Sequence, residues 1–257
     1  IYQGWLGRTW EEDAHKTLEI LKKNVTDWVI VDHYALDYKW ERTVQEHCYH
    51  ILAIDDLANR KHEVDVLVDQ NLGRESSDYS DLIHQDCKIL TGPMHAMLRT
   101  EFSAARPYSL KRRSTQQTCN ILIAMGGVDK DNITSHVLVA LSKCNCPKGT
   151  TIRIVLGPHA PWKDEVLINA KSLPWKTEVI INTDSMAQLM AESDIAIGAA
   201  GVTSWERCCV GLPALNIVLA ENQISNACAL EKAGASMSIE NASNVIKELP
   251  VKITSML

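Results

Sequence analysis

Residues 194–223 carry the densest run of side chains fit for chemistry. Asp194-Ile195-Ala196-Ile197 leads into Gly198-Ala199-Ala200-Gly201, then Thr203-Ser204-Trp205-Glu206, and later Glu221-Asn222-Gln223. A short apolar run, a small-residue turn and a helix signature in that order form an anion cradle. Unpaired N–H groups at a helix start and the helix dipole both favour negative charge there. The Thr203 and Ser204 hydroxyls are then placed to bind phosphate oxygens, and Glu206 to accept from a vicinal diol. A bond to a charged group contributes roughly 1.5–3 kcal/mol, and two or three suffice for micromolar affinity. The simpler alternative is that Thr203 and Glu206 only close a capping box.

Other polar groups follow apolar runs in the same way. Gly126-Gly127-Val128-Asp129 comes after Asn120–Met125, and glycines there let a ligand approach the backbone. Glu221-Asn222-Gln223 comes after Leu215–Leu219, where a second group of the ligand would lie. Asp32-His33-Tyr34, Asp55-Asp56 and Asp69-Gln70-Asn71 end three runs in the first half, and His95 and Arg99 follow a fourth. Taken singly, each is equally readable as a turn or a cap.

The elements that must position these groups alternate. Strands are expected at Trp28–Val31, Ile51–Ile54, Val64–Val68 and Ile89–Leu90, with helices at Trp10–Asn24 and Tyr38–His47. Arg106–Gln117 is polar, basic and contains Pro107, and reads as an interdomain linker. Strands restart at Cys119–Met125, Thr151–Leu156, Glu178–Ile181, Asp194–Ile197, Ala214–Leu219 and Ser236–Ile239. Asn132 is the expected cap of a helix to Lys143, Ser185 and Gln188 form a second capping box, and Gly211 ahead of Pro213 stops the helix that Thr203 opens. Such alternation implies parallel sheets of βαβ units. The expected fold is α/β with two Rossmann-like domains: a partial one over 1–105, a linker over 106–117 and a complete one over 118–257. The first domain has about four expected strands and no phosphate loop near its start, so it is expected to be incomplete.

Composition narrows the function classes. Hydrophobic residues at 46% and charged residues at 23% are ordinary for a globular protein. A net charge of −6 argues against nucleic-acid binding, which needs a basic face. No apolar run reaches the roughly 18–20 residues of a membrane span, so no transmembrane helix and no membrane partner are expected, and the cysteine pattern goes with a reducing cytoplasm. None of the eight cysteines lies in a C-x-x-C pair, which favours free buried thiols over zinc. No metal or cofactor is expected, and a monomer is.

The segments VIVDHYALDYKWE, LAIDDLANRKHEVDVLVDQNL, TGPMHAMLRTEF, AMGGVDKDNIT, MAQLMAESDIAIGAAGVTSWERCCVGLP and LAENQ occur in order between about Gly4 and Ala235. Together they resemble the UDP-2,4-diacetamido-2,4,6-trideoxy-β-L-altropyranose hydrolases of bacterial pseudaminic acid biosynthesis. The resemblance implies a GT-B fold whose C-terminal domain holds UDP. It puts Gly126, Gly127, Thr203, Ser204 and Glu206 in the nucleotide motifs, with Gly201 and Gln223 completing the expected substrate-binding set. Tyr34 and Asn222 fall at the sugar end and are the expected catalytic residues. That family also carries a G-x-G-H loop whose histidine is the favoured base. No G-x-G-H occurs here, and neither His33 nor His95 matches it. The expected reaction is hydrolysis of the glycosyl–phosphate bond of a UDP-linked diacetamido-trideoxyhexose, with inversion. A GT-B glycosyltransferase and a non-catalytic nucleotide-sugar binding fragment stand as alternatives.

Overall fold

The computed structural model describes residues 2–114 and 119–257. The chain divides into two compact units, Ile1–Met97 and Leu98–Leu257.

In the first unit, α1 (Trp10–Leu21) starts from a complete capping box: Glu12 N–H donates to Thr9 Oγ1 at 3.2 Å and Thr9 N–H to Glu12 Oε2 at 3.1 Å. Strand β1 (Trp28–Val31) follows, then α2 (Tyr38–Gln45), whose first turn donates from Lys39 N–H to the Asp37 carboxylate. Strands β2 (His50–Ile54), β3 (Val66–Asp69) and β4 (Lys88–Thr91) complete a sheet of order β1-β2-β3-β4, parallel throughout. No α-helix separates β2, β3 and β4. Tyr79, fully buried on a short 3₁₀ turn between β3 and β4, helps fill the core alongside Trp40, Val44, Ile51 and Leu67.

The second unit opens with α3 (Thr100–Arg113), followed by β5 (Asn120–Ala124), α4 (Ile133–Leu141), β6 (Thr151–Leu156), α5 (Lys163–Lys171) and β7 (Lys176–Ile181). Its second half runs α6 (Met186–Ala191), β8 (Ile195–Ala199), α7 (Thr203–Cys209), β9 (Ala214–Ile217), α8 (Ile224–Lys232), β10 (Ser236–Ile239) and α9 (Val245–Met256). The six parallel strands take the order β10-β9-β8-β5-β6-β7. Alternate residues feed the two faces. Ile121, Ile123, Ile195, Ile197, Leu215 and Ile217 join one core, while Leu122, Ala196 and Ala214 join the other with Phe102, Met190 and Val210. Burial of both faces explains the near-continuous apolar strands.

The expected linker 106–117 falls largely on α3. Residues 106–113 are helical despite Pro107, and 115–118 lie outside the described residues. The basic run is anchored to its own unit. Arg112 donates to Ala191 O at 3.0 Å, Ser193 O at 2.7 Å and the Asp194 carboxylate at 2.6 Å, and Ser109 Oγ donates to Val210 O at 2.8 Å. These bonds satisfy carbonyls at the ends of α6 and α7 that those helices cannot pair themselves.

Two expected caps are built differently. Asn132, at φ +55°, makes no side-chain cap to α4; Asp129 takes the role, accepting from Ile133 and Thr134 N–H at 2.9 Å each. Ser185 caps nothing with its side chain, and Gln188 instead donates to Glu192 at 2.8 Å. Gly211 does end α7, at φ +64°. The described cysteines are free thiols as expected, but burial is uneven: Cys87, Cys119 and Cys146 are buried while Cys208 is exposed.

Gly157, just past β6, backs onto Gly127: a Cβ there would lie 1.8 Å from the Gly127 carbonyl oxygen. A Cβ on Gly127 would meet nothing within 4 Å. Gly157→Ala must therefore move backbone and is expected to cost about 1–3 kcal/mol. Gly127→Ala is expected to leave stability unchanged. Thermal unfolding followed by circular dichroism checks the pair.

Candidate functional site

With every strand parallel, all loops after strands open at one edge of each sheet. In the second unit the strand order reverses between β5 and β8, the point at which open α/β sheets form a ligand crevice. The loop after β5 places Gly126 at φ +95° and Gly127 beside it, both exposed. β8 ends in Gly198-Ala199, and the loop after it carries Ala200–Val202 and leads to Thr203, Ser204 and Glu206 on α7. The loop after β9 brings Gln223 to the same place: Gln223 Oε1 accepts from Leu219 N–H at 3.0 Å, and its Nε2 lies 3.6 Å from where a Gly201 Cβ would be. Gly126, Gly127, Gly201, Thr203, Glu206, Asn222 and Gln223 thus all sit on the loops, or the helical turns directly after them, that follow strands at one sheet edge.

The start of α7 differs from the expected cradle. The cap position is Val202, with no side-chain cap, so Thr203 and Glu206 form no capping box. Ser204 and Trp205 N–H groups bond back to Gly201 O at 2.9 Å and Val202 O at 3.0 Å, and so do not point into the turn. Ser204 is only 2% exposed, and its hydroxyl accepts from Arg207 Nη2 at 3.0 Å rather than facing a ligand. The Glu206 side chain is half-buried and takes no hydrogen bond or ion pair among the described residues. Burial raises its carboxyl above the ordinary value, against the pull of Arg99 and Arg207. A desolvated carboxylate with unused acceptor capacity is what a hydroxyl-bearing ligand requires.

Arg207 was not expected in the site. Its Nη2 also donates to Ala199 O at 2.7 Å and to Asn216 Oδ1 at 2.8 Å.

In the first unit, the polar clusters after β1, β2 and β3 share a sheet edge and form one network. Tyr79 OH donates to Asp55 at 3.0 Å or to Asp69 at 2.8 Å, Arg60 pairs with Asp55 and Arg74 with Asp69 at 2.6 Å each, and Tyr34 OH donates to Asp56 at 2.9 Å. Burial pushes Asp55 up, but Arg60 and the Ala58 N–H outweigh it and hold the carboxyl below its ordinary value. Burial wins at Asp69, which is raised. Burial also raises Asp56, with Asp55, Asp69 and Asp32 adding to it against the Tyr34 bond, and Asp56 Oδ1 is enclosed without a partner. The Tyr34 ring packs on Tyr2 and Trp5, with centroids 4.8 Å and 5.7 Å away. His33 closes a local turn, its Nδ1 accepting from Ala35 N–H at 3.1 Å, and Arg99 pairs with Glu101 at 3.0 Å. Among the described residues, no group of three or more His, Cys, Asp or Glu is placed to hold a metal ion, and no helix is long and apolar enough to cross a membrane.

Residues 120–257 match the model of the glycosyltransferase family 28 C-terminal domain. The chain is 30% identical to the spore coat polysaccharide biosynthesis protein SpsG of Bacillus subtilis over 61% of its own length and 45% of that protein. It is 29% identical to uncharacterized protein MJ1062 of Methanocaldococcus jannaschii over 84% of its own length, and again spans 45% of that relative. It is 26% identical to the UDP-2,4-diacetamido-2,4,6-trideoxy-β-L-altropyranose hydrolase of Campylobacter jejuni, over 87% of this chain and 77% of that enzyme. Among solved structures, MurG of Acinetobacter baumannii aligns with a TM-score of 0.66 at 17% identity, covering 95% of this chain and 69% of the other. The UDP-GlcNAc 2-epimerase of Methanocaldococcus jannaschii, solved with UDP-GlcNAc and UDP, aligns with a TM-score of 0.57 at 12% identity, covering 95% and 74%. The fold is of the GT-B class, with two Rossmann-like α/β units of parallel strands.

The raised Asp56 carboxyl carries a pH signature. Its proton is held more tightly in the folded chain than at the ordinary 3.8, so its part of the stability is present below that value and is lost as pH rises through the folded pKa. Asp56→Asn should abolish that loss. Stability measured by urea unfolding across acid pH should fall less with rising pH in the variant than in the parent.

Proposed function

The chain belongs to the glycosyltransferase family 28 C-terminal domain family, and from that premise we propose that its second unit binds a UDP-sugar in the crevice between β5 and β8. One observation carries this reading: two glycine loops flank the point where strand order reverses, and beside them lies Glu206, a half-buried carboxylate with no hydrogen-bond or ion-pair partner among the described residues. Open α/β sheets take their ligands at that point. Gly126, Gly127 and Gly201 admit the diphosphate close to backbone, Thr203 offers a hydroxyl, Glu206 accepts from the ribose diol, and Gln223 closes the turn at Gly201. Ser204 is reassigned from ligand contact to support of the turn. Asn222 is assigned to the sugar end in this unit. In the first unit, Tyr34 is assigned to positioning, its hydroxyl fixed by Asp56.

The reaction proposed is the one its sequence resemblance implies and its Campylobacter relative is named for: hydrolysis of a UDP-linked 2,4-diacetamido-2,4,6-trideoxyhexose. Water forms the new bond to the anomeric carbon from the face opposite the leaving group. The bond from that carbon to the phosphate oxygen breaks, a base takes the water's proton, and UDP leaves with inversion. Fixed donors at the crevice stabilise the charge growing on the departing diphosphate. A second reading, UDP-sugar glycosyltransfer, is favoured by the family 28 match over the second unit.

Calorimetric titration tests the binding step. UDP should bind with a dissociation constant on the order of micromolar, and Glu206→Gln should weaken it about tenfold. A folded protein that gives no heat with UDP would overturn the assignment. Incubation with the UDP-sugar and no acceptor then separates the two reactions: release of free sugar supports hydrolysis, and turnover only on adding an acceptor supports transfer.

A further inference from the structure

Arg207 is 2% exposed, and every partner of its guanidinium is neutral: Ala199 O, Ser204 Oγ and Asn216 Oδ1. Its Nε is enclosed without a hydrogen-bond partner. Arg60, Arg74 and Arg112 each lie 2.6 Å from a carboxylate, whereas Arg207 makes no ion pair among the described residues. Glu206, next in the chain, exerts only a through-space pull. A buried charge that makes no ion pair is costly, so the position calls for an explanation beyond the three hydrogen bonds and the through-space pull of Glu206. Its location supplies one. A Cβ on Gly198 would lie 2.4 Å from Arg207 Nη1, which puts the guanidinium against the last two residues of β8, at the foot of the turn that follows.

We infer that Arg207 is the resident counter-charge for the anionic part of the ligand, a positioning residue that acts through the Gly198–Ser204 turn without touching the ligand. The inference rests on the nucleotide reading above. Burial pulls the guanidinium down to about 10, which leaves it charged at neutral pH. In the low-dielectric interior a charge one layer below the surface still attracts an anion bound above it. The three neutral acceptors hold the cation in place without cancelling it, and that is the arrangement a reusable anion site needs.

The test grades the charge of both partners. UDP, UMP and uridine share a nucleoside and differ in negative charge. Asn216→Asp sets a carboxylate against Arg207 with little change in shape. It should raise the melting temperature, weaken UDP about tenfold or more, weaken UMP less and leave uridine unchanged. Arg207→Gln should show the same grading, and Arg207→Lys, which keeps the charge but not the fork, should regain most of the UDP affinity. A purely structural role predicts equal losses for all three ligands, or no loss in Asn216→Asp, and either result overturns the inference. A parent protein that binds UDP while Asn216→Asp binds it equally well removes this inference and spares the nucleotide reading. A folded parent that binds none of the three removes both.

Discussion

The guanidinium of Arg207 ties three elements of the second unit at one point. Through Nη2 it reaches the last residue of β8, the first turn of α7 and the middle of β9. Gly198 has to lack a side chain for this to happen, because a Cβ would collide with Nη1 and with Ala124 O. Asn216 has to be polar inside a strand that is otherwise apolar, and it passes the network on to Ser236 on β10 at 3.0 Å. A small residue, a buried amide and an inward hydroxyl therefore depend on one cation. Remove the cation and Ala199 O, Ser204 Oγ and Asn216 Oδ1 lose the donor they share.

The first unit solves the opposite problem with the same parallel architecture. Its strand ends gather Asp55, Asp56 and Asp69 at one edge, and like charges in a half-dry setting oppose one another's ionisation. Two arginines and the Tyr79 hydroxyl relieve the strain unequally. Asp55 and Asp69 each have a guanidinium and an N–H donor; at Asp55 these outweigh burial and the carboxyl falls below the ordinary range, whereas at Asp69 burial wins and it rises, as Asp56 does. Tyr79 lies on the 3₁₀ turn between β3 and β4, where a parallel sheet usually has a helix. There it serves at once as core filler and as proton donor to the carboxylates beside it.

The strands were legible because apolar, β-branched runs bounded by turns leave little alternative. All ten expected positions overlap an observed strand, and β1, β6 and β10 match to the residue. The glycine loops were legible for the same reason, since they follow the strands directly. Caps were not. Asn132, Ser185 and Thr203 are all suitable cap residues, yet none caps with its side chain. Short polar side chains compete within a few residues, and the winner at α4, Asp129, is decided by a left-handed turn at φ +44° that no periodicity reveals. That Arg106–Arg113, read as part of an interdomain linker, is helical was not legible, because composition reports charge but not the carbonyls that charge will meet. Arg207 escaped notice for the related reason that its partners are neutral groups spread over three elements.

The two glycine loops at the crevice are consequently not equivalent. At α4 the helix start is filled by the Asp129 carboxylate, which consumes the Ile133 and Thr134 N–H groups and brings its own negative charge. That loop can offer a ligand shape but not attraction: Gly126 in a left-handed conformation, open space over Gly127, and Gly157 bracing the Gly127 carbonyl from below. At α7 no side chain caps the helix, and the charge beneath the turn is positive. Electrostatics therefore ranks the two loops although their glycine content does not. On the proposed reading the diphosphate is therefore attracted from the β8 side, while the β5 glycines give it room rather than charge.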